Sequence, residues 1–323
     1  MLKKTSVLLV RPGGLGDLLV ALPSIAFVRE KMADARLTLA CRVDYGRLFL
    51  EAGLVDDLVS VDSRNLSWLF AASAVAEADA SAESGEPQLN VFSSIVGWMR
   101  KRGILDIPAA ADGTGLRAVV APDSEPDEAW SRFFLRRTLD LFGDPRPPEA
   151  LLPRLGRLRI SARMRTEGLS AFGFGNEPGD PVVVHTGSGS TRKRWPSEYF
   201  LEIMRRLSGA GRRGVCITGE AEAGSPADLD DGDMPPGWTR SRRPDILHLA
   251  GLLSGPGLFL GNDSGTAHLA AACGCSSLVL FLNEFATLWR PYGPARLISA
   301  PAMADISVDL AWEEILDIKQ QAF

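Results

Sequence analysis

Cysteine, histidine and tyrosine are scarce, at four, three and three in 323 residues. Cys41, Cys216, Cys273 and Cys275 show no C-x-x-C spacing and the histidines lie far apart, so neither a zinc site nor a disulfide framework is indicated. Cys273 and Cys275, set among Ala and Gly, read as small buried residues rather than a redox pair. A basic excess is also missing. Forty acidic against 35 basic residues give a net charge of -5, which argues against nucleic acid as the main partner. No apolar run approaches the ~18 residues of a membrane span. The start, Met1-Leu2-Lys3-Lys4-Thr5-Ser6, leads into an apolar run too short for a signal segment. These features predict a cytoplasmic protein.

What the sequence does hold is alternation. Val7-Leu8-Leu9-Val10 reads as a buried strand, residues 12–17 as a glycine-rich turn and residues 18–32 as a helix. Strand-like residues 37–40, a helix near 45–52 and a strand at 58–61 follow. Residues 89–92 and 117–121 read as later strands of the same sheet, and 127–142 as an amphipathic helix. Residues 71–87, rich in Ala, Ser, Glu and Gly, show no firm pattern. Prolines at 145, 147 and 148 end the helical pattern and put a domain boundary between residues 143 and 158. Beyond it come a strand at 182–185, a helix at 197–207, a strand at 215–218, an insertion at 226–236 and a helix near 246–253. Such alternation implies parallel sheets covered by helices on both faces. The economical arrangement is two Rossmann-like domains in tandem, closed by an amphipathic helix at 309–322.

Three loops carry the chemistry. The apolar run Leu258-Phe259-Leu260 stops at Gly261-Asn262-Asp263, and after Ser264-Gly265-Thr266 an Ala/Leu-rich helix containing His268 begins. The unpaired amides of a helix start carry roughly +0.5 of a charge, which makes a phosphate seat; the same residues would also serve simply as a helix cap. His185-Thr186-Gly187-Ser188-Gly189-Ser190 leaves room for a diphosphate against the backbone, while His185 itself reads as a satisfied core histidine. Arg192-Lys193-Arg194, before Trp195-Pro196, is either a phosphate-binding or a solvated basic loop. In Arg11-Pro12-Gly13-Gly14-Leu15-Gly16-Asp17, Gly13, Gly14 and Gly16 permit close backbone approach. That loop fits neither the dinucleotide fingerprint nor a P-loop. Asp17 reads as the N-cap of the following helix.

In this order the three patches resemble glycosyltransferase family nine, the heptosyltransferases of lipopolysaccharide-core assembly. The likeness is weakest at about residues 65–112 and 222–244. It implies a GT-B architecture, with two parallel sheets facing an interdomain cleft. Residues 1–150 would bind acceptor, 151–308 would bind the nucleotide sugar, and 309–323 would return as a helix bracing the first domain. It further implies an inverting transfer, without metal or other cofactor, of heptose from ADP-heptose. Asp17 matches the family's proposed catalytic aspartate. Lys193 has the spacing of its phosphate-binding lysine, with Arg192 and Arg194 as flanking alternatives. His268 fits the pattern Asp-Ser/Thr-Gly-x-x-His. Thr186, Gly187, Ser188, Asp263, Ser264, Gly265 and Thr266 would complete the donor site, with Glu222 or Glu220 on the ribose.

The implied acceptor is a lipopolysaccharide core or another glycan. Arg100-Lys101-Arg102, Arg132, Arg136 and Arg137 could meet its phosphates or the anionic cytoplasmic face of the inner membrane; solvated helix faces would explain them equally. Two other readings stay open: the same fold using another nucleotide sugar or acceptor, and a non-catalytic nucleotide-sugar-binding protein.

Overall fold

A computed structural model describes residues 5–64, 66, 92–101, 115–175, 180–219, 224–225 and 227–321. The chain divides into two compact units, one of Met1–Pro126 with Ser131–Leu155, the other of Asp127–Trp130 with Gly156–Phe323.

The first unit contains β1 (Ser6–Val10), α1 (Leu15–Val20), α2 (Leu22–Lys31), β2 (Arg36–Cys41), α3 (Val43–Glu51), β3 (Asp57–Ser60), β4 (Ser94–Trp98), β5 (Arg117–Val120), α4 (Trp130–Leu141, its first residue assigned to the other unit) and α5 (Pro148–Leu155). The strands pair in the order β3-β2-β1-β4-β5, all parallel, with Leu8 opposite both Thr38 and Ile95. Val7, Leu8, Leu9 and Val10 are all fully buried, as expected of a central parallel strand covered on both faces. The helix expected at 18–32 starts earlier, at Leu15, and is interrupted at Ala21. Pro23 sits in the first turn of α2, where a missing N–H leaves no bond unmade. The strand expected at 89–92 is displaced: Phe92 is outside any strand, residues 89–91 are outside the described residues, and Ser94-Ile95-Val96-Gly97-Trp98 forms the buried β4.

The second unit contains α6 (Ala162–Ala171), β6 (Val182–His185), α7 (Ser197–Gly209), β7 (Gly214–Thr218), β8 (Trp238–Arg242), α8 (Ile246–Leu253), β9 (Leu258–Asn262), α9 (Gly265–Cys273), β10 (Ser276–Leu282), α10 (Asn283–Ala286), β11 (Ala295–Ala300) and α11 (Val308–Gln321). Its six parallel strands run β11-β10-β9-β6-β7-β8. Ala311, Ile315 and Ile318 of α11 join Phe200, Ile203, Met204, Leu278 and Leu280 in this unit's core. The terminal helix, expected to brace the first domain, thus turns its apolar stripe into the second unit, against α7 and β10.

Both sheets have the same connectivity. The chain leaves the central strand towards one side, then crosses to the other, so the order reverses between β1 and β4 and again between β6 and β9. In open parallel sheets ligands bind at the carboxyl ends of the strands beside such a reversal. The loops after β1, β6 and β9, singled out in the sequence, all lie there. Among the described residues no helix is long and apolar enough to cross a membrane.

Candidate active site

In the first unit β1 runs into Arg11 and the glycine-rich turn, and α1 begins at Leu15. Asp17 is therefore not the N-cap; it is the third residue of the helix, and its carboxylate reaches back. Oδ2 accepts a hydrogen bond from the Gly14 amide at 3.0 Å. Oδ1 accepts one from Arg11 Nη2 at 3.1 Å and lies 3.4 Å from Arg100 Nε. Gly13 has φ +111°, and a Cβ there would stand 2.6 Å from Asp17 Oδ2, so the turn requires glycine twice over. Arg100 follows β4, the other strand at the reversal.

In the second unit β9 delivers Asn262, Asp263 and Ser264 to the start of α9. Ser264 is the N-cap, its Oγ accepting from the Ala267 amide at 3.3 Å. Gly265 and Thr266 are the first two helical residues, and Gly274, in the left-handed conformation at φ 87°, ends the helix. Asn262 is fully buried and joins the neighbouring loops. Its Oδ1 accepts from Trp195 N at 3.0 Å, and its Nδ2 donates to the carbonyls of Thr186 and Gly187 at 2.9 and 3.3 Å. This residue lay inside the Gly-Asn-Asp motif, yet only the fold shows that its amide ties three segments together.

The basic triplet separates into three roles. Arg192 pairs with Glu284 at 3.1 Å. Arg194 donates to the Ser188 carbonyl and to Ser225 Oγ. Lys193 donates to Asp263 Oδ2 at 2.6 Å, with Nζ 3.9 Å from the centre of the Phe285 ring. Burial pushes the Asp263 carboxyl up while the Lys193 hydrogen bond pulls it down.

The hydroxyls expected to meet a diphosphate are partly committed within the protein. Thr186 Oγ1 donates to the Ala227 carbonyl at 2.7 Å, and Ser188 Oγ to the Asp263 carbonyl at 2.8 Å. Ser264 Oγ and His185 Nδ1 share a bond of 3.1 Å. Burial, with the charge of Arg194 second, pulls His185 down to about 4, so it is a neutral core ring. His268 is buried one turn into α9, its ring edge-to-face with Trp289 at 6.3 Å between ring centres. Glu222 and Glu220 lie outside the described residues. All four cysteines are buried, and burial pushes Cys41, Cys216 and Cys275 up to about 12. No group of three or more His, Cys, Asp or Glu side chains suited to a metal ion occurs among the described residues.

Two doubly wound parallel sheets in tandem, each with its loops at a reversal of strand order, make this a protein of GT-B type. The family model for glycosyltransferase family 9 (heptosyltransferase) matches residues 122–302, which include Lys193 and the whole 263–268 loop but not Asp17. The chain belongs to that family and is a glycosyltransferase. No curated protein matches the sequence. Solved structures do match over nearly their whole length. Escherichia coli ADP-heptose lipopolysaccharide heptosyltransferase II is similar at 15% identity and TM-score 0.72, covering 98% of this chain and 99% of that one. A family 9 glycosyl transferase of Veillonella parvula is similar at 13% identity and TM-score 0.73, covering 99% of each. The E. coli heptosyltransferase WaaC with ADP gives 14% identity and TM-score 0.62, covering 97% of this chain and 100% of that one. At these identities the likeness is one of fold.

Proposed function

We propose that the chain transfers a heptose from ADP-heptose to a lipopolysaccharide-core acceptor, without a metal and with inversion at the anomeric carbon. The observation carrying this reading is the Asp17 carboxylate, oriented at both oxygens beside the strand reversal of the first sheet. Support for the donor comes from the solved relatives, one named for ADP-heptose and another described with ADP. The acceptor hydroxyl attacks the anomeric carbon and gives its proton to Asp17 as the bond to the donor diphosphate breaks. General-base help of this kind contributes typically ~10²–10⁴-fold. ADP departs with its charge met by the first amides of α9, donors already fixed in place before reaction, and by Lys193 once it exchanges Asp263 for the phosphates. The enzyme works in the cytoplasm, with peripheral contact at the inner membrane through first-unit arginines.

Asp17→Asn tests the base. The amide oxygen can still accept the Gly14 bond while its NH2 group faces Arg11 and Arg100, so the variant should fold with a lowered melting temperature and keep an ADP affinity close to wild type. ADP release with ADP-heptose and a panel of truncated core acceptors should fall by roughly 10²-fold or more. Near-wild-type turnover of a folded, ADP-binding Asp17→Asn protein would remove Asp17 from the mechanism. Wild-type protein that binds ADP but turns over no acceptor would favour a binding protein of the same fold.

A further inference from the structure

Arg11 follows β1 directly and is a buried guanidinium, 3% exposed. Its Nη1 donates to the Trp98 carbonyl at 2.9 Å, its Nε to the main-chain carbonyl of Asp17 at 2.7 Å, and its Nη2 to Asp17 Oδ1 at 3.1 Å. The wall behind it is hydrogen-bonded together. The Phe134 ring lies 5.0 Å from Arg11 Cζ, Trp98 Nε1 donates to Thr138 Oγ1 at 2.9 Å, and Thr138 Oγ1 donates to the Phe134 carbonyl at 2.7 Å. Burial pulls Arg11 down to about 10, against the upward pull of Asp17, which leaves it a cation at neutral pH.

We infer that Arg11 is the positioning residue that fixes the Asp17 carboxylate, an inference resting on the reading of Asp17 as the base. One planar fork grips the same residue at its backbone and at its side chain, so both ends of the aspartate are set together. The Gly14 amide holds the other oxygen. Arg100 comes within 3.4 Å of Oδ1 as well, but its side chain is 52% exposed. A buried ion pair is weak as a device for stability, since apolar replacements of similar size are often no worse. It is strong as a device for orientation, because a guanidinium matches two oxygens at fixed spacing while a lysine offers a point charge.

The test is a double-mutant cycle in the full chain with Asp17→Asn, Arg11→Met and the pair, plus Arg11→Lys as the conservative variant. The readouts are kcat and KM with ADP-heptose and a truncated core acceptor, and crystal structures of the folded Arg11 variants. Misplacement of a reacting group by about 1 Å can cost on the order of 10²-fold. Arg11→Met should therefore lose roughly 10²-fold in kcat with the KM for ADP-heptose unchanged, and Arg11→Lys should recover part of it. The pair should be no slower than Asp17→Asn alone, and the Asp17 side chain should leave its wild-type rotamer in Arg11→Lys. Should Arg11→Met not fold, Arg11→Lys carries the cycle. Wild-type kcat in Arg11→Lys with Asp17 in its wild-type rotamer would overturn the inference while leaving the base intact. Losses that multiply in the pair would overturn it too, by placing the effect of Arg11 elsewhere. An active Asp17→Asn protein beside a dead Arg11→Met protein would overturn both the inference and the base.

Discussion

Asp17 shows what residue identity can and cannot convey. An aspartate after a glycine-rich turn announces a helix start, but N-cap and third position are both open to it. The choice is made by Gly13 and Gly14, which let the helix start three residues early. Nor does the sequence say that Arg11, six residues away, will be folded onto it. His185 was more legible: a lone histidine ending an apolar strand reads as a core residue, and it is buried with Nδ1 on Ser264. Its pKa falls from 6.5 to about 4 on folding, which carries a sign. Between those values the unfolded chain binds the proton and the folded chain does not. The contribution is therefore fully present above pH 6.5 and is lost as pH falls towards 4, by on the order of 2 kcal/mol at pH 4.5. Urea midpoints at pH 7 and pH 4.5 should show a smaller acid loss for His185→Gln than for wild type. Equal losses would exclude His185 as a source of acid lability.

Elements with one strong pattern were readable, and those shaped by neighbours were not. Leu258-Phe259-Leu260 followed by small polar residues announced β9 and α9. Trp238-Thr239-Arg240-Ser241-Arg242 forms β8 at the edge of its sheet, yet no apolar run marks it, because an edge strand needs fewer buried side chains. Helices α6 and α8 cross closely at Gly168 and Gly251, where a Cβ on Gly168 would stand 2.5 Å from the His248 carbonyl. Helical periodicity contains no hint of such an approach. For α9 the cap and the proposed seat can be separated. Ser264→Ala removes the side-chain acceptor of the Ala267 amide and the partner of His185 Nδ1 and should destabilise by roughly 1 kcal/mol. Ser264→Asp keeps an N-cap acceptor and should melt near wild type, yet its carboxylate faces the position proposed for a diphosphate. Calorimetry should find stability retained and ADP affinity lost in Ser264→Asp. Unchanged ADP affinity would move the phosphates away from α9.

At the scale of the molecule, the alternation of short apolar runs with helical stretches was enough to read two parallel-sheet units, because buried parallel strands leave few other ways to cover both faces. The strand order was not readable, since pairing between β1 and β4 joins residues some 90 positions apart, as with Val7 and Ser94. The home of α11 was not readable either: its stripe of Ala311, Ile315 and Ile318 would fit any apolar surface, and the core around Ile203 and Met204 takes it. One consequence reaches beyond the fold. Lys193 stands against Asp263 at 2.6 Å, so an anion at this loop meets an ion pair, on a chain of net charge -5, rather than a bare cation. On the proposed function, capture of ADP would be an exchange of partners at short range, with little long-range attraction to be screened. Stopped-flow association rates should stay flat or rise as sodium chloride increases from 10 mM to 300 mM, conditions over which the Debye length shrinks from about 30 Å to below 10 Å. An electrostatically steered site would slow steeply over the same range.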